Sequence, residues 1–147
     1  MEMTQGLVTL LATAIAVIAA NLYYAQPLVS LISHSLGLAP EAAGLVVTLT
    51  QAGYGMGVLL IVPLGDIVET RRLLLSAIGL AIVGLLGLAF VSHAVPYFIA
   101  AFATGLGTSA VQIIMPYGAH FAPDRERGHV VGRMTSGLMI GIMMSRP

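Results

Sequence analysis

A chain of 147 residues with 58% of them in the set AVILMFWYC, 17 glycines besides and only 8% charged lacks the polar surface that a soluble domain needs. Six acidic residues balance six arginines, lysine is absent and mean hydropathy is +0.97, which excludes disorder and a basic patch for nucleic acid. Without cysteine there can be no disulfide, thiol nucleophile or cysteine-based metal centre, and what remains is an integral membrane protein whose first partner is the lipid bilayer.

A helix needs about 20 largely apolar residues to cross a bilayer. In chain order the expected spans are residues 6–32, 42–67, 73–91 and 95–121. A fifth starts near Val130 and is still apolar at Pro147. None alternates as a membrane β-strand does, so the expected class is all-α: a polytopic helix bundle with four complete spans and part of a fifth, in one partial domain covering residues 1–147. Residues 1–5 carry Glu2 and no cation, and the apolar stretch after them is too long for a signal peptide, so the first span is expected to stay in the mature protein.

The connections set the orientation. Residues 33–41 and 92–94 hold no arginine, whereas Arg71 and Arg72 fall in the second connection and Arg125, Arg127 and Arg133 in the fourth. The positive-inside rule makes the arginine side cytoplasmic, with the N-terminus on it, in a multi-pass protein of the inner (plasma) membrane. Arg146 would lie within the bilayer if the fifth helix continued, or would snorkel to the outer interface at a free chain end. A membrane protein that stops in mid-helix looks truncated.

Glycine falls at helix-packing intervals. Gly53 and Gly57, and Gly137 and Gly141, each form G-x-x-x-G, and Gly105 with Gly107 offers a further small surface. Such residues let helix backbones approach closely in a membrane. Polar side chains within the spans are fewer. Asn21, Tyr23, Tyr24 and Gln26 precede Pro27; Thr48, Gln51 and Tyr54 recur on roughly one face; Thr104, Thr108, Ser109 and Gln112 precede Pro116. An unpaired amide is costly in hydrocarbon, so Asn21, Gln51 and Gln112 should face the bundle interior or a wet cavity. They serve either as interhelical hydrogen-bonding glue or, with Tyr24 and Tyr54, as the lining of a substrate cavity. Pro27, Pro63 and Pro116 each remove a backbone donor, so kinks are expected near them.

The most specific segment runs from Pro63 through Leu64, Gly65, Asp66 and Glu69 to Arg71 and Arg72. An acid ends one helix and an arginine pair opens the next. Asp66 carries the wrong charge for a helix C-terminus, so it should need a partner, either an arginine or the N-terminus of another helix.

This stretch resembles the loop motif G-x-L-A-D-R-x-G-R-R of the major facilitator superfamily, between its second and third helices. Leu64, Gly65 and Asp66 match L-A-D, and Arg71 and Arg72 stand near the arginine pair. Val62, Ile67 and Glu69 replace the first glycine, the arginine after Asp and the second glycine. The N-L-Y-Y-A-Q-P run at residues 21–27 and Gly105-Leu106-Gly107 are similar to the drug- and sugar-efflux, drug:proton antiporter-like branch. There an arginine usually precedes the helix-four glycine by four residues, where this chain has Ala101.

The resemblance implies the front portion of one six-helix half of a twelve-helix carrier, with the C-terminal half missing. It also implies export of a small organic molecule by alternating access. Asn21, Tyr24, Gln51, Tyr54 and Gln112 would line the cavity. Gly65, Asp66, Arg71, Arg72 and Asp124 would form a gating cluster, and protons would be the usual coupling partner. The chain itself places no carboxylate in mid-membrane. Alternatives are a non-transporting fragment, an assembly partner for another membrane protein, or a small four-helix exporter acting as a dimer. The last normally needs a carboxylate in its first helix, which residues 6–32 lack. No nucleophile–base pair or metal-ligand spacing points to an enzyme, a cofactor or a metal.

Overall fold

The computed structural model describes residues 4–145, and among them it holds seven helices and no strand. They are α1 (Gln5–Ala20), α2 (Ala25–Leu36), α3 (Pro40–Leu64), α4 (Thr70–Phe90), α5 (Ala94–Thr108), α6 (Ala110–Phe121) and α7 (Arg127–Met144). Four stretches are long and apolar enough to cross a membrane: α1 with α2, most of α3, α4, and α5 with α6. The all-helical class and the four spans therefore stand. Glu2, Arg146 and Pro147 lie outside the described residues.

The first span is broken rather than kinked. In a regular helix the N–H of residue 27 would bond to the Tyr23 carbonyl, but Pro27 has no N–H and its ring clashes with that oxygen. The chain adapts one turn earlier. The N–H groups of Asn21, Leu22 and Tyr23 reach only three residues back, to Ile18, Ala19 and Ala20 at 3.0–3.2 Å, and Gln26 N–H takes the Tyr23 carbonyl at 3.1 Å. Helix α2 then runs past the expected end of the span to Leu36. Gly37 closes it at φ 60°, a left-handed conformation that favours glycine.

The fourth span breaks at Ser109. Its N–H bonds to Leu106 O at 3.3 Å, and its hydroxyl donates to the same carbonyl at 2.7 Å. Thr104 and Thr108 likewise donate to carbonyls four residues back, at 2.8 and 2.7 Å. Hydroxyls bonded to their own helix satisfy themselves in hydrocarbon and bend the helix they sit on. The break thus falls at this serine and threonine cluster, ahead of Pro116.

Helix α7 begins at Arg127, so Arg133 belongs to the helix and not to the connection before it. Its guanidinium donates to Gln5 Oε1 and, at 3.4 Å, to Thr9 Oγ1 of α1. Further along the same pair of helices, Gly137 and Gly141 lie against the backbones of Ala12 and Ala16. Residue numbers rise together on both, so α1 and α7 run parallel.

Glycine contacts of the same kind hold the other half of the bundle. A Cβ on Gly53 would strike the Phe102 carbonyl, one on Gly57 would lie 2.7 Å from Leu106 O and from Ser109 Cβ, and one on Gly105 would strike Thr50 O. These contacts press α3 against α5. On the other side of α5, Gly107 abuts Ala77 and Ala81 of α4, and Gly84 and Gly87 of α4 meet Thr104 and Ala100.

Buried side chains gather in two clusters. One joins α1, α6 and α7 around Ile15, Ile114 and Met134. The other joins α2, α3 and α5 around Val46, Tyr97 and Ala101. Outside them, Leu59 (73% exposed), Val83 (65%) and Phe90 (81%) stand clear of the protein on the spans, as suits helices whose solvent is hydrocarbon.

Two glycine substitutions separate close approach from mere helix propensity. Gly55→Ala meets open space and should be neutral or stabilising by up to about 1 kcal/mol. Gly105→Ala should destabilise by about 2 kcal/mol as α3 is pushed off α5. Denaturation in mixed micelles followed by circular dichroism measures both.

Candidate functional site

Residues expected to share one cavity are distributed over three. Gln51 and Tyr54 of α3 line a cavity of about 150 Å³ with Tyr23 and Thr108. Asn21 and Tyr24, at the break in the first span, open on a second of about 150 Å³ with Thr50, Tyr97 and Thr104. Thr48 is exposed and donates to Gly44 O of its own helix at 3.1 Å, so it leaves the face on which Gln51 and Tyr54 point inward.

The third cavity is larger, about 700 Å³, and lies between the ends of α3 and α6. Gln112 forms part of its wall, and Asp66 stands at the α3 end with Gly65. Gln112 also reaches across to α3, where its Nε2 donates to the Tyr54 hydroxyl at 2.8 Å. Tyr54 lines the inner cavity and Gln112 the large one, so this hydrogen bond stands between the two spaces.

The turn after α3 shows how Asp66 is presented. Gly65 caps the helix, and the N–H groups of Asp66, Ile67 and Val68 return to Pro63 O and Leu64 O at 2.8–3.2 Å. Neither ion pair among the described residues includes Asp66. Arg72 binds Glu69 at 2.9 Å and Arg127 binds Asp124 at 3.0 Å, each within one turn and largely exposed. Arg71 is exposed at the start of α4 and belongs to neither pair. The described residues therefore hold Arg72 and Asp124 in separate local pairs, while Asp66 is exposed at the rim of the large cavity and in neither pair.

Several lining residues were not singled out from the sequence. Tyr97 is buried beside Asn21's cavity. Tyr117, His120 and Phe121 line the large cavity with Gln112 and Pro116. Residues 112, 116, 117, 120 and 121 follow the helical period and share one face of α6, a signal that was readable in the chain. The Tyr117 and Phe121 rings lie 4.8 Å apart between centroids, tilted by 59°, and His120 meets Phe121 edge-on at 5.4 Å.

The sequence that builds this site is similar to those of known proteins. Residues 11–147 match the Major Facilitator Superfamily. The chain belongs to that family. Relatives within the major facilitator superfamily include the uncharacterized transporter YgaY of Escherichia coli O157:H7, 39% identical over 99% of this chain and 37% of its own length. The probable transporter SCO4007 of Streptomyces coelicolor is 34% identical over 93% of this chain and 32% of its own length. The probable glucose transporter rco-3 of Neurospora crassa is 30% identical over 73% of the chain and 18% of its own length. The chain spans about a third of the length of the first two. No solved structure matches it at comparable significance. All three of these relatives are named as transporters, two of them as probable ones.

The Gln112–Tyr54 bond is open to direct measurement. Tyr54→Phe and Gln112→Leu should each destabilise the chain, and a double-mutant cycle on unfolding in mixed micelles should return a coupling of about 0.6 kcal/mol.

Proposed function

We propose that the chain forms the first helices of a longer secondary transporter that exports a small organic molecule by alternating access. The observation that carries this reading is the cavity of about 700 Å³ between α3 and α6, separated by the Gln112–Tyr54 hydrogen bond from the inner cavity of Gln51. Ligand cavities commonly measure about 300–1,000 Å³ and carry a few convergent polar groups. Family membership and relatives about three times as long support a carrier of which this is the front portion. The N-L-Y-Y-A-Q-P run and Gly105-Leu106-Gly107 favour the efflux branch.

In this reading Asn21, Tyr24, Gln51, Tyr54 and Gln112 contact substrate on the chain's side of the route. Asp66 gates by meeting a partner outside the described residues, and Arg71 and Arg72 set the charge of the turn beside it. Every carboxylate among the described residues lies outside the four spans, so proton coupling is assigned to none of them. The arginine-bearing connections and the N-terminus face the cytoplasm across a plasma membrane.

Three outcomes test the reading. A reading frame that continues beyond codon 147 through about seven further helices supports the carrier, whereas a stop codon there favours a fragment or assembly partner. In vesicles holding the full carrier, Asp66→Asn should slow transport about tenfold, the cost of one lost charge-assisted contact. Unchanged transport removes Asp66 from the gate. For orientation, the absence of cysteine makes the chain a ready template. Ser35→Cys should react with an impermeant maleimide in intact cells, and Gly128→Cys only after permeabilisation.

A further inference from the structure

The seam between α1 and α7 joins a charged side chain to neutral partners. Arg133 is half-buried on α7 and donates to Gln5 Oε1 and, at 3.4 Å, to Thr9 Oγ1. Neither ion pair among the described residues includes it. The nearest acids in sequence are Glu126, exposed at the N-cap of α7 two turns earlier, and Glu2, outside the described residues. Anchoring to α1 fixes the plane of the guanidinium while using only two of its five N–H donors. Gln5 adds to what is left. Its Oε1 accepts from Arg133, so its amide can still offer the Nε2 donor. The Thr9 proton is already spent on Gln5 O at 2.9 Å.

The α7 surface beside Arg133 is open. Gly128 and Gly132 face empty space, and Ser136 continues their row with its hydroxyl turned back to Gly132 O at 2.9 Å. Farther along, the exposed side chains of Met139, Ile140 and Met143 fill the same face. A ligand approaching the first two turns of α7 therefore reaches the guanidinium past small residues, and meets positive charge and N–H donors there. Arg133 lies six residues into α7, about 9 Å along its axis, beside the first turn of α1. Water and lipid headgroups both reach that depth, where the surroundings screen a charge less than bulk water does.

From this juxtaposition we infer that the α1–α7 seam is a binding site for a phosphate oxyanion, carried either by a soluble organic phosphate or by a lipid headgroup. Arg133 supplies the charge and the unused edge of its fork, a geometry that matches two oxygens of a phosphate. Gln5 Nε2 donates to a third oxygen. The inference goes beyond the carrier reading and does not rest on it.

Two probes separate the sources, each applied to the purified 147-residue chain in maltoside micelles. Glycerol 3-phosphate, followed by equilibrium dialysis against empty micelles, reports a soluble oxyanion. Dioleoyl phosphatidic acid in a mixture with phosphatidylcholine, counted on the protein by native mass spectrometry, reports a headgroup. Saturable binding of at least one is expected, and the probe that binds identifies the source. Arg133→Gln should weaken it about tenfold. Arg133→Lys keeps the charge without the fork and should cost about threefold, as should Gln5→Ala through one lost hydrogen bond. Arg125→Gln removes an exposed cation from the connection before α7 and should leave binding within about twofold. Circular dichroism and melting confirm that each variant is folded. If Arg133→Gln does not fold, Arg133→Lys and Gln5→Ala carry the decision by themselves.

The proposal is overturned if neither probe binds saturably, or if folded Arg133→Gln, Arg133→Lys or Gln5→Ala keeps full affinity. It is equally overturned if Arg125→Gln weakens binding as much as Arg133→Gln, which is the mark of diffuse attraction to the basic end of the bundle. Binding seen only in Glu2→Gln also sinks it, because Glu2 would then be the counter-ion of Arg133.

Discussion

Helices in hydrocarbon gain little from hiding apolar side chains against one another, because lipid tails are as apolar as leucine. What holds this bundle is therefore close approach of backbone to backbone, and α5 is where that constraint concentrates. Gly105 lets α3 settle against one side of it, while Gly107 admits α4 on another. From α3 the contacts of Gly53 and Gly57 complete the same seam. Any side chain on these faces would separate the helices, and the cavities that lie alongside would change shape with them.

The second constraint is that every backbone polar group must be satisfied without water. It explains why the functional residues sit where they do. At residues 21–24 the chain tightens ahead of Pro27 and brings Asn21 and Tyr24 to a cavity. At Ser109 the hydroxyl and the N–H share one carbonyl, and the chain turns so that Gln112 can reach Tyr54 on α3. Broken helices are thus the means by which a few polar groups are brought inward in an otherwise apolar bundle. Among the described residues no buried side-chain nitrogen or oxygen is left without a partner.

Much of the fold was legible in the chain because length and hydropathy are properties of a segment taken alone. Four spans, their all-helical nature and the unusual acid at Asp66 could be read without knowing any contact. The positions of the breaks were less accessible. Pro27 and Pro116 signal a lost donor, but where the chain absorbs that loss depends on which neighbouring hydroxyls and carbonyls can substitute. Pairing was the least accessible of all. The G-x-x-x-G of Gly137 and Gly141 advertises a smooth face and says nothing of whose backbone will occupy it; the answer, Ala12 and Ala16, lies at the far end of the sequence. For the same reason Gln51, Asn21 and Gln112 read as one cavity when each is a neighbour of a different helix crossing.

That far-end pairing bears on how the protein is made. Arg133 reaches Gln5, and α7 covers the face of α1 from there to Ala16, across a sequence separation of 128 residues. Ribosomes add about 5–20 residues per second, so α1 waits on the order of ten seconds in the membrane before its parallel neighbour exists. During that interval the small side chains of Ala12 and Ala16 form an open groove along α1. Until α7 is synthesised, that groove can be covered only by lipid or by another helix.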